Sequence, residues 1–304
     1  MAESSSTPEG NVPDSPSNPL PQIDNLQIHG DSDGPDIKIV DSRTTLLPLL
    51  ENLESVSTQY PVFLDLKGVN LGREGSISIL SLALPSIRLT YLVDILTMRE
   101  SAFNTETIRG NSLRKLLESP EVIKIFFDVR MQSDALFNLY SISLQGIRDL
   151  QLMELATREG SKERLSSLTA CMQQHSSLSV DNKAEWRSQK QVSEHLYDPN
   201  EFLNRGLLSR RAQLYCAGDV LSLVDLFAVY EKKLISSWRE KVRQETEKRI
   251  KDSQREDFKG RTEERSLGPW GNDVVERDIP HYDFDEDELR NWDSSDLDCT
   301  ATMQ

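Results

Sequence analysis

The sequence predicts an α/β fold built on a mixed sheet, three antiparallel strands then parallel strands, with flanking helices. Three strand candidates follow closely at 61–67, 75–82 and 87–93, and the link Val69 to Glu74 is short enough for an antiparallel hairpin. Beyond them strands and helices alternate, as in parallel strands joined by helical crossovers.

The elements follow in order. Residues 37–40 (IKIV) form a strand, and Asp41 or Ser42 caps a helix running through Leu53. After the three strands comes a helix near 112–118, then a strand at 122–127 and a helix at 132–140. A short strand near Arg148 and helices at 150–158 and 163–174 follow. The last strongly apolar helix is 209–234, and beyond Leu234 it continues as a charged helical extension over 235–272. Charges of both signs dominate there, so the expectation is an exposed helix or a partner surface.

Charge is unevenly distributed. The chain of 304 residues carries a net charge of −15, but residues 1–36 hold seven acidic residues with no Lys or Arg, and 273–304 are the most acidic stretch. Residues 37–272 are left at +1, so the middle does not repel nucleic acid as a uniformly acidic domain would. Both ends read as disordered, the first Ser/Pro-rich and acidic, the second an acidic tail suited either to fold back over a basic groove as a nucleic-acid mimic or to bind a basic protein partner. Cys171, Cys216 and Cys299 are scattered without zinc spacing, which fits a reducing intracellular compartment, cytoplasmic or nuclear. No apolar run looks long enough to span a membrane, and no membrane partner is expected.

One short strand raises the functional question. In Val62-Phe63-Leu64-Asp65-Leu66-Lys67-Gly68, alternation puts Asp65 and Lys67 on one face and Leu64 and Leu66 on the other. Core strands seldom carry two charges on one face without a partner. On the helix at 209–234, Tyr215 and Asp219 are four residues apart and share a face.

These residues, in this order from about Ile39 to Leu234, resemble the RNase D-like 3′–5′ exonuclease domains, whose sites carry an Asp-Glu-Asp-Asp set plus a Tyr. The resemblance implies a ribonuclease H-like sheet over 37–234. It also implies catalytic roles for Asp65, Tyr215 and Asp219, with Asp65 and Asp219 as metal ligands. The family's first motif, Asp-x-Glu with a following glycine, stands here as Asp65-Leu66-Lys67-Gly68, so Lys67 replaces a metal-binding Glu. The third, Tyr-x-x-x-Asp, stands as Tyr215 to Asp219. The second-motif Asp lies about seventeen residues before another Asp that precedes a helix. Counting back from Asp149 gives Gln132. Asp134 is the alternative, but two helical steps turn it about 200° away. Asp128 belongs to the loop leaving the strand, and Glu74 lies past the hairpin turn.

Two ions that hold the attacking water and the leaving oxygen need concentrated carboxylates. Lys67 removes a ligand and adds a positive charge, worth about 4 kcal/mol per unit charge pair at 4 Å and an effective dielectric near 20. Gln132 removes a further negative charge. A protonated Lys67 instead fits between Asp65 and Asp219 as an internal cation. The expectation is therefore a nucleic-acid-binding protein, preferring RNA to DNA, with an impaired exonuclease domain. The alternatives are an active exonuclease using Mg²⁺ or Mn²⁺ and a protein-interaction scaffold; the impaired site uses no cofactor. Arg73, Lys124, Arg130, Arg210 and Arg211 are candidate phosphate contacts.

Overall fold

The computed structural model describes residues 36–56, 59–195, 209–260 and 262–271. The expectations for the acidic tail, and for 1–36 apart from Asp36, lie outside the described residues.

Asp36–Val40 (β1), Val62–Lys67 (β2), Ile79–Leu84 (β3), Leu89–Asp94 (β4), Lys124–Phe126 (β5) and Ile147–Asp149 (β6) form a six-stranded sheet in the order β1-β4-β3-β2-β5-β6. The run β2-β3-β4 is antiparallel, whereas β1 on β4, β5 on β2 and β6 on β5 are parallel. This is the mixed sheet expected from the strand order.

Strand β2 lies inside the sheet, and its alternation feeds two cores. Leu64 and Leu66 pack with the helix Arg43–Val56 (α1), the short helices Ile95–Met98 (α2), Glu100–Asn104 (α3) and Leu113–Glu118 (α4), and part of Val129–Tyr140 (α5). Phe63 faces the other way. It joins a core formed with Leu150–Thr157 (α6), Leu168–His175 (α7), Val180–His195 (α8) and Arg210–Lys233 (α9), and meets Phe227 edge-on at 5.5 Å. Burying that much apolar surface on both faces is the main stabilising term of such a layer.

The hairpin differs from expectation in its bounds. A Cβ on Gly68 would stand 1.8 Å from the Ser76 carbonyl oxygen, and one on Gly75 2.1 Å from that of Asn70. The chain crosses itself so tightly there that ladder pairing resumes only at Ile79, opposite Lys67.

Three further expectations are corrected. The helix expected at 163–174 starts at Leu168, because Lys162–Arg164 (β7) pairs antiparallel with Leu267–Gly271 (β8). Lys162 is buried and caps α6, donating to the carbonyls of Leu155 at 2.8 Å and Arg158 at 2.6 Å. Next, the apolar helix ends at Lys233 and a separate one, Ser236–Ser253 (α10), packs on α5, α6 and β6. It is not an exposed helix: Trp238, Val242, Thr246, Arg249, Ile250 and Ser253 are buried. Third, α9 is long and apolar enough to cross a membrane by length and composition, contrary to the reading of the sequence. Its apolar side chains are instead the second core, buried against the sheet.

Candidate functional site

Two elements bring the charged residues together. Asp65 and Lys67 share the β2 face that α9 crosses, and the four-residue spacing of Tyr215 and Asp219 turns both toward that face. Lys67 Nζ lies 2.7 Å from Asp65 Oδ2 and 2.5 Å from Asp219 Oδ2, so one ammonium bridges two carboxylates. The same ammonium is 5.1 Å from the Tyr215 ring centroid, within cation–π range. Asp219 is only 2% exposed, while Asp65 and Lys67 keep a narrow opening to solvent.

The carboxylates differ in their titration. Burial pushes Asp219 upward, but Lys67 and a second lysine, Lys190, outweigh it and hold the group below its ordinary value. Burial raises Asp65 above its ordinary value and the Asp219 charge adds to this, with Lys67 offsetting only part. Burial also pushes the Tyr215 phenol up, so it is a neutral hydroxyl at pH 7.

Lys190 is the residue that sequence reasoning missed. Helix α8 packs on α9 and brings Lys190 Nζ to 3.5 Å from Asp219 Oδ1, while the same nitrogen lies 5.0 Å from the ring centroid of the buried Trp186. No spacing rule points to it. No element is expected from the sequence at 180–195, where Trp186 is the one large apolar side chain besides Val180 and Val192.

Gln132 sits beside this cluster with its polar atoms committed to backbone. Strand β5 pairs with β2 only at Val62 and Phe63, which leaves the Leu66 N–H beyond the ladder. Gln132 Oε1 accepts that N–H at 3.2 Å, and Nε2 donates to the Phe127 carbonyl at 3.3 Å. Asp134 is drawn elsewhere: it accepts from the Arg73 backbone N–H and Nε, both at 2.8 Å, and from Asn138 at 3.0 Å. Asp128 pairs with Arg130 at 2.6 Å, and Glu74 is exposed on its loop.

Most of the basic residues considered for phosphate contact are corrected. Lys124 is fully buried and donates to the carbonyls of Leu116 at 2.9 Å and Ser119 at 2.5 Å. Arg130 is buried against Asp128. Arg73 also donates to the carbonyls of Ser253, Arg255 and Glu256, tying the β2–β3 loop to the end of α10. Arg210 and Arg211 are exposed on the first turn of α9.

A divalent-ion pair does not fit these residues. The point between Asp65 and Asp219 holds an ammonium, Gln132 is engaged with backbone and Asp134 with Arg73. Among the described residues no group of three or more His, Cys, Asp or Glu is arranged to hold a metal. The arrangement is a partly exposed cluster of two ammoniums and two carboxylates whose formal charges balance.

Comparison with known proteins gives this geometry a family. A family model described as 3′-5′ exonuclease matches residues 39–235. Among solved structures, the chain is similar to Trypanosoma brucei RNase D in a GMP complex, at 20% identity and a TM-score of 0.59, covering 73% of this chain and 65% of that one. It is also similar to the same enzyme in complex with RNA U12, at 18% identity and a TM-score of 0.59, covering 78% of this chain and 81% of that one. With Escherichia coli RNase D the values are 16% and 0.53, covering 72% and 51%. The match thus spans less than two thirds of the GMP-complex chain and about half of the bacterial one. No curated protein matches.

Proposed function

Because the chain belongs to the 3′-5′ exonuclease family, we propose that it is a catalytically impaired member that holds single-stranded nucleic acid, RNA in preference to DNA, without cleaving it. The observation that carries this reading is Lys67 Nζ at 2.7 Å from Asp65 and 2.5 Å from Asp219. Metal-assisted hydrolysis needs an ion to lower the pKa of the attacking water and to stabilise the leaving oxygen. An ammonium at that point supplies charge but no coordination sites for water. Each unit of positive charge brought within 4 Å of it costs about 4 kcal/mol at an effective dielectric near 20. Tyr215, neutral and buried, provides no base in compensation.

Binding is the function left to such a site. The fold shared with an RNase D that takes RNA U12 supports RNA as the ligand, and the exposed Arg210 and Arg211 at the head of α9 suit a phosphate backbone. The test is incubation of the full chain with end-labelled oligo-uridylate and Mg²⁺ or Mn²⁺, read on a sequencing gel beside a binding assay. Retention without shortening is expected. A stepwise 3′-end ladder that disappears in Asp219→Ala overturns the reading.

A further inference from the structure

The lysine pair does more than block a metal. Lys67 faces Asp219 Oδ2 and Lys190 faces Oδ1, so both oxygens of one buried carboxylate are met by ammoniums arriving from different elements, β2 and α8. The pocket holds two negative charges, Asp65 and Asp219, and two positive ones, and is neutral without any ion. A site of four carboxylates reaches that balance only when two divalent cations are bound. A phosphodiester approaching this pocket therefore meets no net repulsion in the absence of metal.

Lys190 is placed to act on such a group. Its side chain is 16% exposed, and its distance of 3.5 Å from Asp219 is long for a charge-assisted hydrogen bond. The Trp186 ring, with its centroid 5.0 Å from the ammonium, gives it a cation–π contact. Among the described residues the ammonium's contacts are that carboxylate and the Trp186 ring, and an ammonium carries three donors. Resting on the binding function proposed above, we infer that the Lys67–Lys190 pair is a phosphate-binding site for single-stranded nucleic acid that works without a divalent ion, with Lys190 as the contacting residue and Lys67 as the internal cation that keeps the carboxylates neutralised.

The test uses the full chain and fluorescence anisotropy with labelled oligo-uridylate and oligo-thymidylate, each in EDTA and in Mg²⁺. Binding is expected in EDTA, and Mg²⁺ at matched ionic strength should bring no gain in affinity. Lys190→Gln weakens binding of both strands about tenfold and lowers the salt slope by about one phosphate contact, while Lys190→Arg restores binding. A thermal melt of each variant separates this from unfolding: Lys190→Gln should melt below wild type yet stay folded at the assay temperature, because Lys67 still holds Asp219. Binding that requires Mg²⁺, or that is indifferent to Lys190→Gln, overturns the inference while leaving the binding function in place. Weakening confined to oligo-uridylate overturns the phosphate assignment. Absence of binding by the wild-type chain under every condition overturns the binding function itself.

Discussion

Arg249 Nη1 lies 2.7 Å from Asp149 Oδ2, joining residues 100 positions apart around a carboxylate with no solvent exposure. That carboxylate also accepts the N–H groups of Asp128 at 2.9 Å, Val129 at 3.2 Å and Gln151 at 3.1 Å. One side chain thus fixes the entry to α5, which carries Gln132, the first turn of α6, and α10. The family match ends at residue 235, but the packing does not.

Arg249→Met is accordingly expected to destabilise the fold by about 3–5 kcal/mol, since it leaves a buried carboxylate without its cation. Adding Asp149→Asn to it should recover part of the loss, because the uncompensated charge is gone. Chain 37–235, cut where the family match stops, loses the apolar cover of Trp238, Val242 and Ile250 as well. Urea unfolding should show it far less stable than 37–271. Equal midpoints for the two pieces would show that α10 is an accessory.

The sheet was legible in the sequence because its signals are local. Alternation in Val62–Lys67 and the near-continuous apolar run of Ile79–Leu84 leave little choice of strand or face. The meeting of Asp65, Lys67 and Asp219 was legible only through spacing within two elements and a family order linking them. What stayed hidden depends on contacts remote in sequence. Ser236–Ser253 reads as a solvated helix because its buried side includes Thr246, Arg249 and Ser253, which are polar and bonded to partners such as Asp149 and Ser133. Strand β7 forms only because 267–271 lies beside it. Lys124 and Arg130 read as exposed candidates for phosphate contact, for nothing local tells a lysine that its ammonium will cap α4.

Lys67→Met should make stability depend on pH in a new way. In the wild type the depressed Asp219 contributes stability above its unfolded value, lost only as pH falls through the lower folded value. Without Lys67, Lys190 is the cation left on Asp219 among the described residues, so Asp219 moves above its unfolded value and Asp65, already raised in the wild type, goes higher. Such groups stabilise at low pH and lose that contribution as pH increases. The gap in unfolding free energy between variant and wild type should therefore be small near pH 4 and about 3 kcal/mol at pH 8. Parallel pH profiles would show that Lys67 is not the cation balancing these carboxylates.

Lys124 carries a second pH signature, outside the site. Burial lowers its ammonium to about 7, and the two carbonyls it donates to bring no negative charge. Below pH 7 the folded state bears the whole cost of a buried charge. Between there and about 10.4, the unfolded value, the unfolded chain holds a proton that the folded chain has released, so stability rises with pH. Lys124→Met removes this titration. The melting temperature of wild type relative to the variant should climb from pH 6 to pH 9, by an amount equivalent to a few kcal/mol. Differential scanning calorimetry at several pH values reads it directly, and a pH-independent difference would place Lys124 in contact with water.

The sharpest test of the site assignment is to rebuild it. Lys67→Glu with Gln132→Asp restores carboxylates at both substituted positions beside Asp65 and Asp219. The apo variant should lose stability twice over. Four carboxylates repel one another, and Asp, one methylene shorter than Gln, cannot keep both the Leu66 N–H and the Phe127 carbonyl that Gln132 spans. The combined loss is expected to be a few kcal/mol. Mn²⁺ should return it by binding only the folded state, with the melting temperature rising with ln[Mn²⁺], whereas wild type stays flat. Because Lys190 still faces Asp219 at 3.5 Å, adding Lys190→Gln should tighten the metal response further. Lys67→Glu with Gln132→Asn is the control, with less charge and a weaker gain. Lys67→Glu with Asp134→Ala should add only instability, since Asp134 holds Arg73 rather than the pocket. A double variant whose melting temperature ignores Mn²⁺ would mean that position 132 is not where the missing carboxylate belongs.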